Sequence, residues 1–399
     1  MSERYQFNRM ELAGSLGDLG TLLPIAVAMV LVNGLSPLGL FFSIGAYYIF
    51  SGIYFGITVP VQPMKVIGAY AIATSMQASQ ILAASLLMGL FLLIVGLTGA
   101  IEAIRKYTPK AVIRGVQLST GALLISGGIK FMIGTSKFQT LQHAAEPYLS
   151  VQSIGPVQVG IVIGLVGGLL TLLLLDNKKF PAGLVVVAGG LIAGLALGAG
   201  IDLDNISIGI NLPGILPFGF PGKADFSFAL LALVLPQLPM TMGNAVLAYT
   251  DLSRDYFGEK SARVTNRSAC LSMAIANFIS FGLGGMPLCH GAGGLAAHYR
   301  FGARSAGSNL IIGIIFVILA LVLGNEIVAI INLLPMSVLG ILLVFAGSQL
   351  SLTIMDLDNR KDYFVAMLIL GITLASNLAA GFIAGIVVAH LLKWKRLSV

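Results

Sequence analysis

The chain has 399 residues, of which 57% are apolar and only 10% are charged; its net charge is +7 and its mean hydropathy is +0.95. A soluble domain carries roughly 25% charged residues, so this composition excludes a soluble enzyme and a nucleic-acid-binding protein. One crossing of a bilayer takes about 20 residues, and the length leaves room for roughly 12–15 crossings of an all-α polytopic membrane protein.

Apolar stretches separated by charged residues or by Pro and Gly predict fourteen membrane-spanning segments in chain order. The third and the tenth are too short to cross a bilayer by themselves. No cleaved signal peptide is expected, because the polar N-terminus is not followed by a short apolar stretch with a small-residue cleavage site. The segments lie near 12–32, 37–57, 63–76, 80–100, 109–134, 155–175, 181–200, 227–250, 264–283, 288–299, 305–324, 327–347, 363–377 and 378–393.

Basic residues are distributed unevenly between the two sides of these segments. With the N-terminus inside, 19 of the 23 Lys and Arg residues fall in cytoplasmic loops, whereas Lys130, Lys137 and Lys223 fall outside and Lys65 lies at membrane depth. Cytoplasmic loops are enriched in Lys and Arg, so this asymmetry predicts a multi-pass protein of the cell membrane with both termini in the cytoplasm.

The two halves of the sequence align at an offset near 226 residues. Seven crossings per half is an odd number, so the two copies would enter the membrane from opposite sides as a 7+7 inverted repeat. The first repeat would cover 1–200 and the second 227–399. The matched positions are Gly17-Asp18 with Gly243-Asn244, Pro60 with Pro287, and Pro109-x-x-Val112 with Pro335-x-x-Val338.

The two short segments contain prolines at equivalent positions. Pro60, Pro63 and Pro287 lack an amide hydrogen and hold the preceding residue extended, so no helix is expected on their N-terminal side. Each short segment should therefore be a half-helix that begins near the bilayer midplane. A helix N-terminus carries about half a positive charge and unpaired N–H donors, so two of them facing one cavity would form an anion site.

Lys65 adds a full positive charge at the start of the first half-helix. An unpaired lysine costs about 3 kcal/mol at the membrane centre, so it needs a partner or a function. Lys65 either pairs with an acid such as Asp18 or shapes the potential that attracts a dianion. Gln62 could donate from its side-chain amide to an oxyanion, or it could cap the half-helix.

Asp18 is the carboxylate that we place inside the hydrophobic depth, where acidic side chains are functional candidates. It could exchange a proton during transport, or it could neutralise Lys65 permanently. The equivalent position of the second repeat is the neutral Asn244, which we expect to line the site together with Gln237 and Thr241.

His290 stands at the start of the second half-helix, where its ring could donate to an anion and titrate near neutral pH, or act as a cap. The backbone that follows, at Gly291 and Ala292, offers amides that a ligand could approach closely. Cys289 and His290 are not expected to act as a nucleophile with its general base, because the side chains of adjacent helical residues point in different directions. No HExxH, Walker A or paired CxxC pattern occurs, so neither an enzyme, a cofactor, a metal site nor an ATP-driven pump is predicted.

The motifs around both breaks resemble the molybdate transporter family related to the sulfate permeases, over nearly the whole chain. The resemblance implies a core domain from 12–100 and 227–324, a gate domain from 109–200 and 327–393, an oxyanion held between the half-helices, and an elevator-like movement, often in homodimers. The regulatory domain that follows the membrane part of most sulfate permeases is expected to be absent. The motifs are Pro60-Val-Gln-Pro-Met-Lys65, Met286-Pro-Leu-Cys-His-Gly-Ala-Gly-Gly294 and His298-Tyr-Arg-Phe-Gly302.

Together, the residues and the resemblance predict a secondary active importer of molybdate, with Gln62, Lys65 and the backbone from His290 to Ala292 at the oxyanion. Proton symport through Asp18 or His290 is a further expectation. A sulfate or tungstate carrier would share these features, and an anion channel could use the same positive cavity. A nucleobase permease has the same inverted repeat but expects acidic or amide partners, which Lys65 disfavours.

Overall fold

The computed structural model describes residues 4–101, 109–175, 177, 180–199 and 209–394. Regular structure in these residues is helical apart from two short strand pairs, because a segment in lipid must satisfy its own backbone hydrogen bonds. Six of the basic residues expected in the cytoplasm lie outside the described residues: Arg105, Lys106, Lys178, Lys179, Lys395 and Arg396.

The helices of the first half begin and end at local sequence signals. Ser36 Oγ accepts a hydrogen bond of 3.1 Å from Gly39 N, and Pro37 occupies the first helical position that follows. The described elements are α1 (Arg9–Ser15), α2 (Leu19–Asn33), α3 (Pro37–Phe55), β1 (Gln62–Pro63), α4 (Lys65–Thr74), α5 (Ala78–Thr98), α6 (Lys110–Met132), α7 (Lys137–Leu141), β2 (Ser153–Ile154), β3 (Val157–Gln158), α8 (Val159–Leu174) and α9 (Ala182–Ala196).

The second half opens with a long helical stretch, α10 (Lys223–Ser261), in which π-helical turns at Leu230–Val234 and Thr241–Ala248 flank a segment with two prolines, Leu235–Met240. Proline removes an amide donor and disturbs the regular ladder, which accounts for the irregular turns. The remaining elements are α11 (Asn266–Leu283), β4 (Leu288–Cys289), α12 (Ala292–Arg300), α13 (Gly307–Leu323), α14 (Ile327–Ile331), α15 (Met336–Ser351), α16 (Arg360–Ala375) and α17 (Leu378–Leu391).

The predicted segments coincide with helices, with two differences. The segment predicted at 12–32 is bent between α1 and α2. The apolar run predicted at 327–347 is split, because the chain leaves the helix after α14 and Pro335 stands before α15. By length and composition, six helices of the described chain could cross a membrane, or seven if α1 and α2, bent by 44°, form one span. The structure is thus a polytopic helical protein, and the count of fourteen crossings stays a prediction.

Helix packing forms two groups that face each other. The helix α3 packs against α13 and α5 against α11, while α6 packs against α15, α16 and α17. The pair from α6 and α15 is close: a Cβ atom on Gly128 would lie 2.3 Å from Gly340 O, so only glycine allows this approach. Because α2 contacts α15 and α4 contacts α6, the interface between the groups runs beside the break that precedes α4.

Candidate functional site

The two proline-containing breaks pair with each other. The strands β1 and β4 run antiparallel, with Gln62 opposite Cys289 and Pro63 opposite Leu288. Outside this ladder, Met64 N donates to Pro287 O at 2.9 Å. Both short helices start directly beyond the pair, α4 at Lys65 and α12 at Ala292, so their N-termini lie at opposite ends of this short antiparallel ladder.

Buried side-chain amides hold the extended backbone in place. Asn277 accepts a hydrogen bond from Leu288 N at 3.2 Å and donates to Leu288 O at 2.8 Å. Asn309 does the same for Val59, at 2.8 Å in both directions. Each asparagine therefore supplies the partners that a β-ladder would otherwise provide. Sequence reasoning missed both residues, although a polar side chain in an apolar helix was a usable signal.

A cavity of about 390 Å³ lies in front of the two N-termini. One wall is formed by residues from the predicted site: Asp18, Gln62, Lys65 and Asn244. The opposite wall comes from α6, α8, α9, α15 and the 3-10 turn that follows α15 (Leu352–Asp356), and the sequence did not single out its polar side chains. These are Gln117, Thr171, Gln349 and Thr353.

Asp18, at the N-cap position of α2, is buried and points into the cavity wall. Gln62 Nε2 donates to Asp18 Oδ2 at 2.6 Å, whereas Gln62 Oε1 is buried without a hydrogen-bond partner. A Cβ atom on Gly294 would lie 2.5 Å from Asp18 Oδ2, and one on Gly291 would lie 2.1 Å from Gln62 Oε1. The missing side chains of these two glycines are what let both polar groups reach the first turn of α12.

Lys65 occupies the first position of α4 and lines the cavity half-buried. Within the described part of the chain, ion pairs closer than 4.0 Å are formed by Asp356 with Lys110 and with Arg114, so Lys65 and Asp18 are not in direct contact. The two charges share the cavity without neutralising each other at contact distance. A positive charge thus remains available to an anion.

The N-terminus of α4 is capped by a side chain from α10. Gln237 Oε1 accepts hydrogen bonds from Val66 N at 3.0 Å and from Ile67 N at 3.3 Å. Gln237 Nε2 in turn donates to Thr241 Oγ1 at 2.8 Å, which fixes the orientation of the amide. Gln237 and Thr241 border a small void beside Lys65, Asn244 and Cys289 rather than the main cavity.

The N-terminus of α12 is more open than the N-terminus of α4. The amides of Ala292 and Gly293 have no hydrogen-bond acceptor among the described residues, and Gly293 lines the cavity. A Cβ atom on Gly293 would have no heavy atom within 4 Å. An anion in the cavity could therefore approach these amides without steric hindrance.

His290 lies behind the break rather than in the cavity. Its ring is fully buried, with Nδ1 at 2.9 Å from Pro60 O and Nε2 at 2.8 Å from Tyr47 Oη. Because a carbonyl only accepts, Nδ1 carries the hydrogen, and in the neutral ring Nε2 accepts from Tyr47. The ring stacks between Tyr47 and Tyr249, with centroids 5.1 Å and 4.9 Å away. Cys289 Sγ faces Pro63 O at 3.6 Å, and the hydrogen bonds of the His290 ring go to Tyr47, Ser272 and Pro60 rather than to Cys289.

Comparison with known sequences gives consistent matches. A family model described as "Molybdate transporter of MFS superfamily" matches residues 10–124 and 229–350. "Molybdate transporter 2" of Arabidopsis thaliana is 32% identical over 97% of this chain and 88% of its own length. "Molybdate transporter 1" of Chlamydomonas reinhardtii is 30% identical over 96% of this chain and 91% of its own length. These relatives are named transporters, which agrees with the prediction that the chain is not an enzyme.

Comparison with solved structures identifies the same fold in other anion transporters. The transmembrane domain of the cyanobacterial bicarbonate transporter BicA matches with a TM-score of 0.67 and 16% identity, covering 96% of this chain and 98% of BicA's. Murine Slc26a9 in its inward-facing state also matches with a TM-score of 0.67 and 16% identity, covering 98% of this chain and 69% of its own. At this identity the likeness concerns the fold alone.

Proposed function

Because this chain belongs to the molybdate transporter family, we propose that it imports molybdate across the cell membrane by secondary active transport. The resemblance inferred from the motifs at both breaks is thereby confirmed. One observation carries the proposal: the unobstructed N-terminus of α12 and the unpaired Lys65 face the same cavity. Helix amides and a lysine are donors without acceptor capacity, as a fully deprotonated oxyanion requires.

In this proposal the oxyanion lies against Gly293 and Lys65, with Gln62 and Asn244 beside it. Gln237 and Thr241 do not contact the oxyanion in this proposal. Gln237 caps the first turn of α4, and Thr241 accepts a hydrogen bond that orients the Gln237 amide. We assign His290 a positioning role: it ties Pro60 to Tyr47 and so supports the break from behind.

Proton coupling would follow from the charge balance of the cavity. A dianion that binds near ionised Asp18 is repelled by it, and Lys65 offsets only part of the total negative charge. Protonation of Asp18 would remove this repulsion, so the proton and molybdate would favour each other's binding. The short contact between Asp18 and Gln62 places the carboxylate within the same group of side chains that would meet the substrate.

Alternating access would come from movement of one helix group against the other. The cavity lies between α2, α4 and α12 on one side and α6, α8 and α15 on the other. It extends towards the end of α6 that carries Lys110 and Arg114, which the charge distribution assigns to the cytoplasm. The described arrangement would then be an inward-facing state of an elevator-like transporter.

The test is direct titration of the purified protein with molybdate, sulfate and tungstate, followed by flux measurements in liposomes. Molybdate should bind in preference to sulfate, and uptake should saturate and depend on an imposed gradient. Equal or tighter binding of sulfate would reassign the substrate. Flux that does not saturate would indicate a channel.

A further inference from the structure

A second cavity, of about 340 Å³, lies at the C-terminal end of α3, apart from the proposed transport site. Four basic side chains and one acidic side chain line it: Arg4, Lys260, Arg263, Arg304 and Glu259. Such an excess of positive charge in a concave surface concentrates anions. None of these residues takes part in the transport mechanism proposed above.

Two of the arginines are anchored on the backbone of α3. Arg4 Nη2 donates to Ile53 O, and Arg263 Nη1 donates to Tyr54 O at 3.1 Å. Both carbonyls belong to the last turn of the helix, where the negative end of its dipole favours cations. The guanidinium groups are therefore held in fixed positions at the cavity, which lowers the entropy cost of binding a ligand.

Arg4 retains a donor that the protein does not satisfy. Its Nε is buried and has no hydrogen-bond partner. Gly56 permits this close packing, because it adopts φ of 76° and a Cβ atom there would lie 2.8 Å from Arg4 Nε. A buried charged donor without an acceptor is costly, and a negative charge in the cavity beside this guanidinium would offset part of that cost.

The surface next to the cavity is apolar and faces outward. On the last turns of α3, Phe50, Ile53 and Tyr54 are 38%, 50% and 44% exposed. In a membrane-spanning helix such a face contacts acyl chains, and the end of the helix lies at the level of the headgroups. Cationic side chains thus lie next to an apolar helix face, an arrangement that suits both the charged headgroup and the acyl chains of a phospholipid.

From this arrangement we infer that the cavity binds the phosphate of an anionic phospholipid, whose acyl chains lie along Phe50, Ile53 and Tyr54. Basic pockets between membrane helices on the cytoplasmic side suit such headgroups. The shared chemistry is a phosphate group held by arginine and lysine. The lipid is favoured over free phosphate because the apolar face adjoins the cavity.

The experiment uses the full chain in nanodiscs of phosphatidylcholine, with and without phosphatidylglycerol, and inorganic phosphate added to the neutral discs as a separate arm. Retained lipid is counted by native mass spectrometry after detergent release, and Tm is recorded in parallel. The variants are Arg263→Gln and Lys260→Gln, with Lys137→Gln as the matched control, because Lys137 lies in another part of the molecule on α7.

Phosphatidylglycerol should be retained by the unmodified protein and should raise its Tm. Lys260→Gln should reduce retention about fivefold, the factor expected for one basic residue near an anionic lipid, and Lys137→Gln should leave it unchanged. If Arg263→Gln fails to fold because it loses its hydrogen bond to α3, the retention of phosphatidylglycerol by Lys260→Gln still tests the site. Equal retention in Lys260→Gln and the unmodified protein would overturn the site, and stabilisation by inorganic phosphate equal to that by the lipid would overturn the lipid assignment.

Discussion

The amide of Gln62 binds Asp18 through one of its two polar atoms and leaves the other unpaired. The donated hydrogen bond is 2.6 Å long, and the orphaned Oε1 faces Gly291 at the start of α12. An amide can present either atom to its neighbour, so a rotated Gln62 could accept from a protonated Asp18 and turn its NH2 group towards α12 or the cavity. The pair thus connects the protonation of Asp18 with the donors that an oxyanion would meet.

Replacement of Lys65 by Ala should weaken molybdate binding about 10- to 100-fold, because a hydrogen bond to a charged group contributes roughly 1.5–3 kcal/mol. Isothermal titration of the purified variant measures the effect. Lys137→Ala serves as the control, since Lys137 is an exposed lysine that does not line the transport cavity. Unchanged affinity in Lys65→Ala would remove Lys65 from the site.

Adjacent glycines of α12 offer a matched pair of substitutions. Gly293→Ala places a methyl group in open space inside the cavity, so the protein should fold normally while molybdate affinity falls about tenfold or more. Gly294→Ala would bring Cβ to 2.5 Å from Asp18 Oδ2, so it should lower the thermal stability. Tm and molybdate affinity are measured for both. An unaltered affinity in Gly293→Ala would show that the anion does not approach this helix end.

Asp18→Asn removes the titrating group while it keeps a side chain of nearly the same shape. If Asp18 carries the coupled proton, molybdate uptake by this variant in liposomes should no longer respond to an imposed pH gradient. Binding of molybdate should become less dependent on pH, because the negative charge beside the anion is gone. Proton flux that persists with molybdate uptake in Asp18→Asn would show that Asp18 does not carry the coupled proton.

Proline chemistry is local, and for this reason the breaks could be predicted. The missing amide hydrogens of Pro60, Pro63 and Pro287 disfavour a helix before them, and the short helices start at Lys65 and Ala292. Pro236 and Pro239 carry the same signal but lie within α10, where π-helical turns on either side accommodate them. Pro335 carries the same signal, but the apolar run continues through it and predicts one unbroken segment at 327–347. A hydropathy pattern by itself therefore does not reveal the break that Pro335 causes.

Contacts between distant segments could not be predicted from the sequence alone. The pairing of Gln62 with Cys289 joins residues more than half the chain apart, and the cap that Gln237 provides for α4 depends on how α10 is placed. A histidine before a helix can face an anion or a packed core, and its ring lies between Tyr47 and Tyr249 only because α3 and α10 converge there. The opposite wall of the cavity, with Gln117, has the same non-local origin.

Glu146, in the loop after α7, caps the first turn of α15: its carboxylate accepts from Met336 N at 2.7 Å and from Ser337 N at 2.9 Å. Burial raises the pKa of Glu146 above its ordinary value of 4.5, although the bonds from Ser337 and Met336 act in the opposite direction. A raised pKa in the folded state means that folding favours the protonated acid. The contribution of protonated Glu146 to stability is full below pH 4.5 and is lost as the pH rises through the pKa of Glu146 in the folded protein.

Glu146→Gln keeps an acceptor oxygen but does not titrate, so the Tm of the variant relative to the unmodified protein should increase between about pH 4 and 7. Thermal unfolding in detergent across this range measures the difference, and a difference that stays constant with pH would contradict the assignment.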